Sequence, residues 1–171
     1  SEFPDLEKYI LHRLWEIDQI ITDCIKNFNF HLMFTTLLNF CSNDLSAFYF
    51  DIRKDAIYCD GDKSKIRRSA RTLLEIIFNY LVRWLAPSLS FTTEEAWKAM
   101  GNQTSIHLED FLYTPAKYEN LKINENWKII KQIRKVITGA LEIKRAEKLI
   151  GSSLEAHVDI YVESETLEKI K

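Results

Sequence analysis

The segment KIRRSARTLLEIIFNYLVRWLAPS, residues 65–88, carries Ile66, Ala70, Leu73, Ile77, Leu81, Trp84 and Leu85 at the three- and four-residue steps that line one face of an α-helix. Asp62 and Ser64 stand where caps are wanted, and Pro87, which has no amide hydrogen, ends the run. A long helix with one apolar stripe needs a second apolar surface to cover it. The chain on either side supplies several.

Upstream, residues 5–28 place Leu6, Ile10, Leu14, Ile17, Ile21, Cys24 and Phe28 on one stripe, with Asp5 at the cap position. Asn27 and Asn29 interrupt the pattern and predict a helical hairpin. Its second helix starts near Asn29 and buries Met33, Leu37, Phe40, Cys41, Leu45, Phe48, Tyr49 and Ile52, leaving Phe50 pointing elsewhere. It is expected to dissolve in KDAIYCDGD, so that Arg53 and Lys54 emerge at a helix C-terminus, where cations are favoured. Downstream, Thr92 and Glu95 have capping-box spacing for a short helix that Gly101 closes. Residues 102–121 lack a period and read as an extended loop over the bundle. A further long helix is capped by Asn124, faces the bundle with Trp127, Ile130, Ile133, Ile137, Ala140 and Leu141, and ends at Gly151. Finally EAHVDIYVE alternates Ala156, Val158, Ile160 and Val162 with polar neighbours, a strand pattern, before SETLEKIK begins another amphipathic piece. The expected fold is therefore mainly all-α: an antiparallel helical bundle over residues 1–151, with a short β/α appendage, cut short, over residues 152–171.

Composition agrees with one helical core. The 171 residues are 46% hydrophobic and 28% charged, with only four glycines and three prolines to break long elements. No apolar run approaches the roughly 20 residues that span a bilayer, and SEFPDLEKYI has no signal-peptide pattern, so a cytoplasmic location without membrane contact is expected. Cys24, Cys41 and Cys59 are far apart and lack a zinc spacing; they read as buried free thiols.

The net charge of −2 does not suggest a generic polyanion binder, but its distribution is uneven. Lys63, Lys65, Arg67, Arg68 and Arg71 form an acid-free run. Basic residues at a helix N-terminal half oppose the macrodipole, so this placement calls for an outside reason; Arg67 and Arg71, four apart, could grip successive phosphates, or the run is a solvated face. Lys144, Arg145 and Lys148 form a second candidate set for nucleic-acid contact, although cations at a helix C-terminus are favourable in any case. Trp15, Trp84, Trp97 and Trp127 fall on or near apolar stripes and read as core. Glu94 and Glu95 sit in a helix first turn and His12, His31, His107 and His157 stand apart, so none is assigned chemistry. Nucleotide-binding glycine loops, a nucleophile elbow and a His-Glu-x-x-His motif are missing from the sequence, so no catalytic or metal-binding residue is assigned.

DLSAFYFDIRKDAIYCD, RRSARTLLEIIFNYLVRWLAPSLSFTTEEAW, SIHLEDF and RAEKLIGSSLEAHVDIYV together closely resemble the anticodon-binding region of the bacterial-type isoleucyl-tRNA synthetase family, a class I family, over nearly the whole chain. LAPSLSFTTEEAW is similar to a stretch shared with the valine and leucine families, whereas DLSAFYFDIRKDAIYC and IGSSLEA are similar to the isoleucine family in particular. The resemblance implies a helical bundle that binds the anticodon stem and loop of isoleucine tRNA. It implies a domain excised from a longer, monomeric enzyme, with no cofactor of its own and no DNA partner. ATP and magnesium would belong to a catalytic domain carrying the family's His-Ile-Gly-His and Lys-Met-Ser-Lys-Ser signatures, neither of which occurs here, and zinc to a C-terminal module. The alternatives are the same domain of a valyl- or leucyl-type synthetase, or a helical interaction module that binds no RNA.

Overall fold

The computed structural model describes residues 3–170, apart from the side chains of Leu154, Glu165, Lys169 and Ile170. The chain forms two compact units that divide between Asn120 and Leu121.

In the first unit α1 (Asp5–Lys26) turns back through Asn27, Phe28 and Asn29 into α2 (Phe30–Asn39). The turn ends α1 by two backbone bonds, Asn29 N–H to Cys24 O at 2.8 Å and Phe28 N–H to Ile25 O at 3.3 Å, with Phe28 in the left-handed region at φ 55°. Asn29 then caps α2 by accepting from the Leu32 amide. Phe28, expected on the α1 stripe, therefore stands in the turn and is 79% exposed.

The second helical run is longer than expected. α2 passes into a π-helical segment, Phe40–Phe50, and then α3 (Asp51–Cys59) without a break. The wider π turn suits the sequence there: the buried residues Phe40, Asp44, Leu45, Phe48 and Tyr49 follow steps of four and five. Residues 54–59 are thus helical, and Arg53 lies within the helical run rather than at its end. Arg53 faces inward because Glu7 of α1 is fully buried: its Nε and Nη2 donate to the Glu7 carboxylate at 2.7 and 3.0 Å, and the Tyr49 hydroxyl donates at 3.2 Å. Burial and the adjacent carboxylate push the Tyr49 phenol well above its usual range.

α4 (Lys65–Leu85) lies against α1, α3 and α5 (Ser90–Ala99). Ser64 caps it, and Ala70, Leu73, Ile77 and Trp84 of the expected stripe are buried, while Ile66 is exposed. α5 starts two residues before the expected capping box: Leu89 precedes it without a side-chain cap, and Thr93 instead returns its hydroxyl to the Leu89 carbonyl. Gly101, at φ 88°, closes it.

Residues 102–120 form a strap with two short 3₁₀ turns, Ile106–Leu108 and Ala116–Tyr118. Side chains of the helices hold it along its length. Glu94 accepts from Ser105 Oγ and the Ile106 amide at 2.8 and 2.9 Å, which draw its carboxyl below the usual range. Arg83 donates to Glu109 and to the Asp110 carbonyl while its guanidinium lies over the Trp97 ring. The Tyr80 hydroxyl, pushed up to about 12 by burial, donates to the Tyr113 carbonyl. Buried Asp18 takes two bonds from Thr114, and the Asn120 amide donates to Nδ1 of buried His12. Of the three thiols only Cys24 is buried; Cys41 is half-buried and Cys59 exposed, which corrects the expectation of three buried thiols.

The second unit contains α6 (Leu121–Ala146) and α7 (Ser164–Ile170), which lies against it. α6 begins before Asn124 and ends before Gly151: Lys148 takes the left-handed position at φ 59°, and Leu149 N–H to Lys144 O and Lys148 N–H to Arg145 O, both at 3.0 Å, close the helix. The expected β/α appendage is not formed. Residues 156–162 contain no strand, and neither does any other described segment, so an alternating pattern here has no edge to pair with.

Glu7→Ala leaves Arg53 and the Tyr49 hydroxyl buried without their acceptor and should cost about 3–5 kcal/mol, read as a lower urea midpoint by circular dichroism. Phe28→Gly and Lys148→Gly remove left-handed strain and should each raise stability by about 1 kcal/mol in the same measurement.

Candidate nucleic-acid interface

α4 enters its first turn with no acid and with Lys65, Arg67 and Arg68, and the structure gives these neighbours different tasks. Arg67 is turned back onto the loop that joins α3 to α4. Its Nη1 donates to the Asp60 carbonyl at 2.6 Å and to Asp62 at 3.0 Å, while Ser64 Oγ donates to the Asp60 carboxylate at 2.6 Å. Arg67 thus closes the loop, and its Nε is buried without a hydrogen-bond partner.

Arg68 and Arg71 point outward. They stand one turn apart and line a groove of about 670 Å³ with Thr72, Leu74, Glu75, Phe78 and Met100. Neither forms an ion pair or side-chain hydrogen bond among the described residues, and the same holds for exposed Lys63 and Lys65 just ahead of them. Unpaired guanidinium groups on a fixed helix present a forked donor array to an incoming anion. The structure therefore brings Arg68 and Arg71 together, three apart rather than four, and diverts Arg67.

The candidates of the second unit are exposed and engaged locally. Lys144 pairs with Glu147 at 2.8 Å, Arg145 pairs with Glu142 at 2.6 Å and also reaches Ser153, and Lys148 forms the helix terminus. Exposed pairs of this kind are weak and exchange readily with other partners. Among the described residues no group of three or more His, Cys, Asp or Glu side chains is placed to hold a metal ion, and no helix is long and apolar enough to cross a membrane. Sequence reading missed Met100, whose exposed side chain completes the arginine groove from the end of α5; its proximity to α4 depends on the turn at residues 86–89 and has no signature in the spacing.

A helical unit offering unpaired arginines in a groove with Leu74, Phe78 and Met100 fits the family whose model matches residues 7–160, described as the anticodon-binding domain of tRNA ligase. The chain belongs to this family. The match begins within α1 and runs past α6, so it takes in the arginine groove of the first unit and the second unit as far as residue 160. The chain is 48% identical to the isoleucine–tRNA ligase of Bartonella henselae, over 97% of its own length and 17% of that protein's. It is 47% identical to the corresponding ligase of Bartonella quintana, over 96% and 17%, and 45% identical to that of Pelagibacter ubique, over 98% and 19%. The domain thus spans less than a fifth of the length of these relatives.

Because Arg67 braces a loop whereas Arg68 and Arg71 are exposed and form no ion pair or side-chain hydrogen bond among the described residues, their truncation should separate cleanly. Arg67→Ala should destabilise the domain by about 1–3 kcal/mol, and Arg68→Ala or Arg71→Ala should change stability by less than about 0.5 kcal/mol, measured by thermal unfolding.

Proposed function

We propose that this domain binds the anticodon stem and loop of isoleucine tRNA and serves, within a larger cytoplasmic ligase acting as a monomer, the ATP-dependent attachment of isoleucine to that tRNA. The observation that carries the reading is the pair Arg68 and Arg71, two cations without ion-pair partners that line an open groove in a domain of the anticodon-binding family. The identities to isoleucine–tRNA ligases support the amino-acid assignment over a valine or leucine one. ATP, magnesium and any zinc belong to other parts of that enzyme.

Binding proceeds on two physical terms. Phosphates supply affinity through Arg68, Arg71, Lys63 and Lys65, with Lys144, Arg145 and Lys148 as a second contact set that exchanges its exposed acid partners for phosphate. Arg67 contributes by fixing the loop on which Lys63 stands. Discrimination comes from unstacked bases, whose edges and faces are accessible in a loop but not in a duplex. Replacing Arg68 and Arg71 together by Ala in the full-length ligase should weaken binding of isoleucine tRNA and lower the slope of log affinity against log salt by about one to two. Filter binding across a salt series checks this; an unchanged slope contradicts it.

A further inference from the structure

A second groove, of about 410 Å³, lies between α3 and α4 and is lined by Phe50, Lys54, Ile57, Tyr58 and Leu74 among others. Leu74 also lines the arginine groove, so the two meet at its side chain and form one track across α4. The two halves differ in chemistry. One holds the unpaired Arg68 and Arg71; the other holds Tyr58, 83% exposed, and Phe50, 38% exposed. Large aromatic side chains left open to water along a basic track are what successive unpaired bases stack on.

We propose that this track seats consecutive unstacked nucleotides of the anticodon loop, with Tyr58 and Phe50 as stacking platforms and Arg68 and Arg71 holding the backbone. The proposal rests on the tRNA-binding reading above and assigns it a place and a mode. Charge decides which part of the track takes backbone and which takes a base. In the aromatic half Lys54 is already bridged to Asp51 at 3.0 Å, so it offers the backbone less than the arginines do. In the basic half the acid is Glu75, one turn along α4 from Arg71 towards Phe78. A carboxylate repels phosphate but accepts from an exocyclic amine, so the end of the groove at Glu75, Phe78 and Met100 takes a base, with the backbone passing over the arginines. Each groove has a volume in the range of sites for small molecules and is thus large enough for a nucleobase with its ribose. Tyr58 can reach solvent because Arg53, five residues earlier and turned inward, commits the other side of α3 to Glu7.

The test uses the full-length ligase and isoleucine tRNA carrying 2-aminopurine in the anticodon loop. Tyr58→Ala should weaken affinity about tenfold, leave the salt slope unchanged and restore 2-aminopurine fluorescence that the wild type quenches; Tyr58→Phe, which keeps a π face, should behave as wild type. Phe50→Ala should act in the same direction. Exposed Tyr58 is dispensable for folding, so an unchanged circular dichroism spectrum accompanies the loss. Wild-type affinity and quenching in both alanine variants would overturn the stacking track while leaving tRNA binding by the domain intact. A loss that appears as a lower salt slope would overturn it too. A wild-type ligase that does not distinguish isoleucine tRNA from a mismatched tRNA would overturn the underlying reading instead.

Discussion

The first unit is organised around a carboxylate that has no access to water. Glu7 on α1 is held by Arg53 and Tyr49, residues more than 40 positions away on the second helical run. A buried carboxylate without these partners would be costly by several kcal/mol, so α1 and the second run can pack in only one register. That register is consistent with the π-helical segment. The segment lets Phe40, Leu45, Phe48 and Tyr49 face inward together just before Arg53 must do so. It also dictates the outer surface, because a helix that turns Arg53 in turns Tyr58 out.

A second set of polar contacts fixes the strap of residues 102–120. Arg83, Tyr80, Asp18 and His12 each offer a side-chain atom to a backbone group of the strap, so an irregular segment is satisfied without pairing with a sheet. The strap's irregular course is therefore fixed by the helices beneath it. Glu94 and Trp97 fix its start against α5, and α4 is left with one face in the core and another bearing Arg68 and Arg71.

The stripes of α1 and α4 were legible because a helix period survives any tertiary arrangement: Leu6, Ile10, Leu14, Ile17, Ile21, Cys24, Leu73, Ile77 and Trp84 are all buried. Helix ends were less so. Phe28 and Lys148 occupy left-handed positions for which glycine or asparagine is the usual signal; Asn27 and Asn29 still marked the end of α1, whereas the end of α6, placed by sequence at Gly151, comes earlier. The alternation of residues 156–162 suggested a strand, but pattern alone supplies no partner. Glu7 and Arg53 were invisible as a pair because each fits a helix surface and only packing brings them together. The same applies to the basic run: spacing groups Arg67 with Arg71, whereas the loop acids Asp60 and Asp62 capture Arg67 and leave Arg68 beside Arg71. Belonging to the anticodon-binding family was carried by the motifs that build the bundle, and these say little about which surface meets RNA.

The central claim is that tRNA is engaged on the outward side of α3 and α4, not on the side that packs on α1. Amide hydrogen exchange of the full-length ligase with and without isoleucine tRNA tests it most directly. Added protection is expected at residues 57–72 and around Met100, with amides of α1 near Glu7 unchanged. Protection confined to other parts of the chain, or none within these segments, would contradict it.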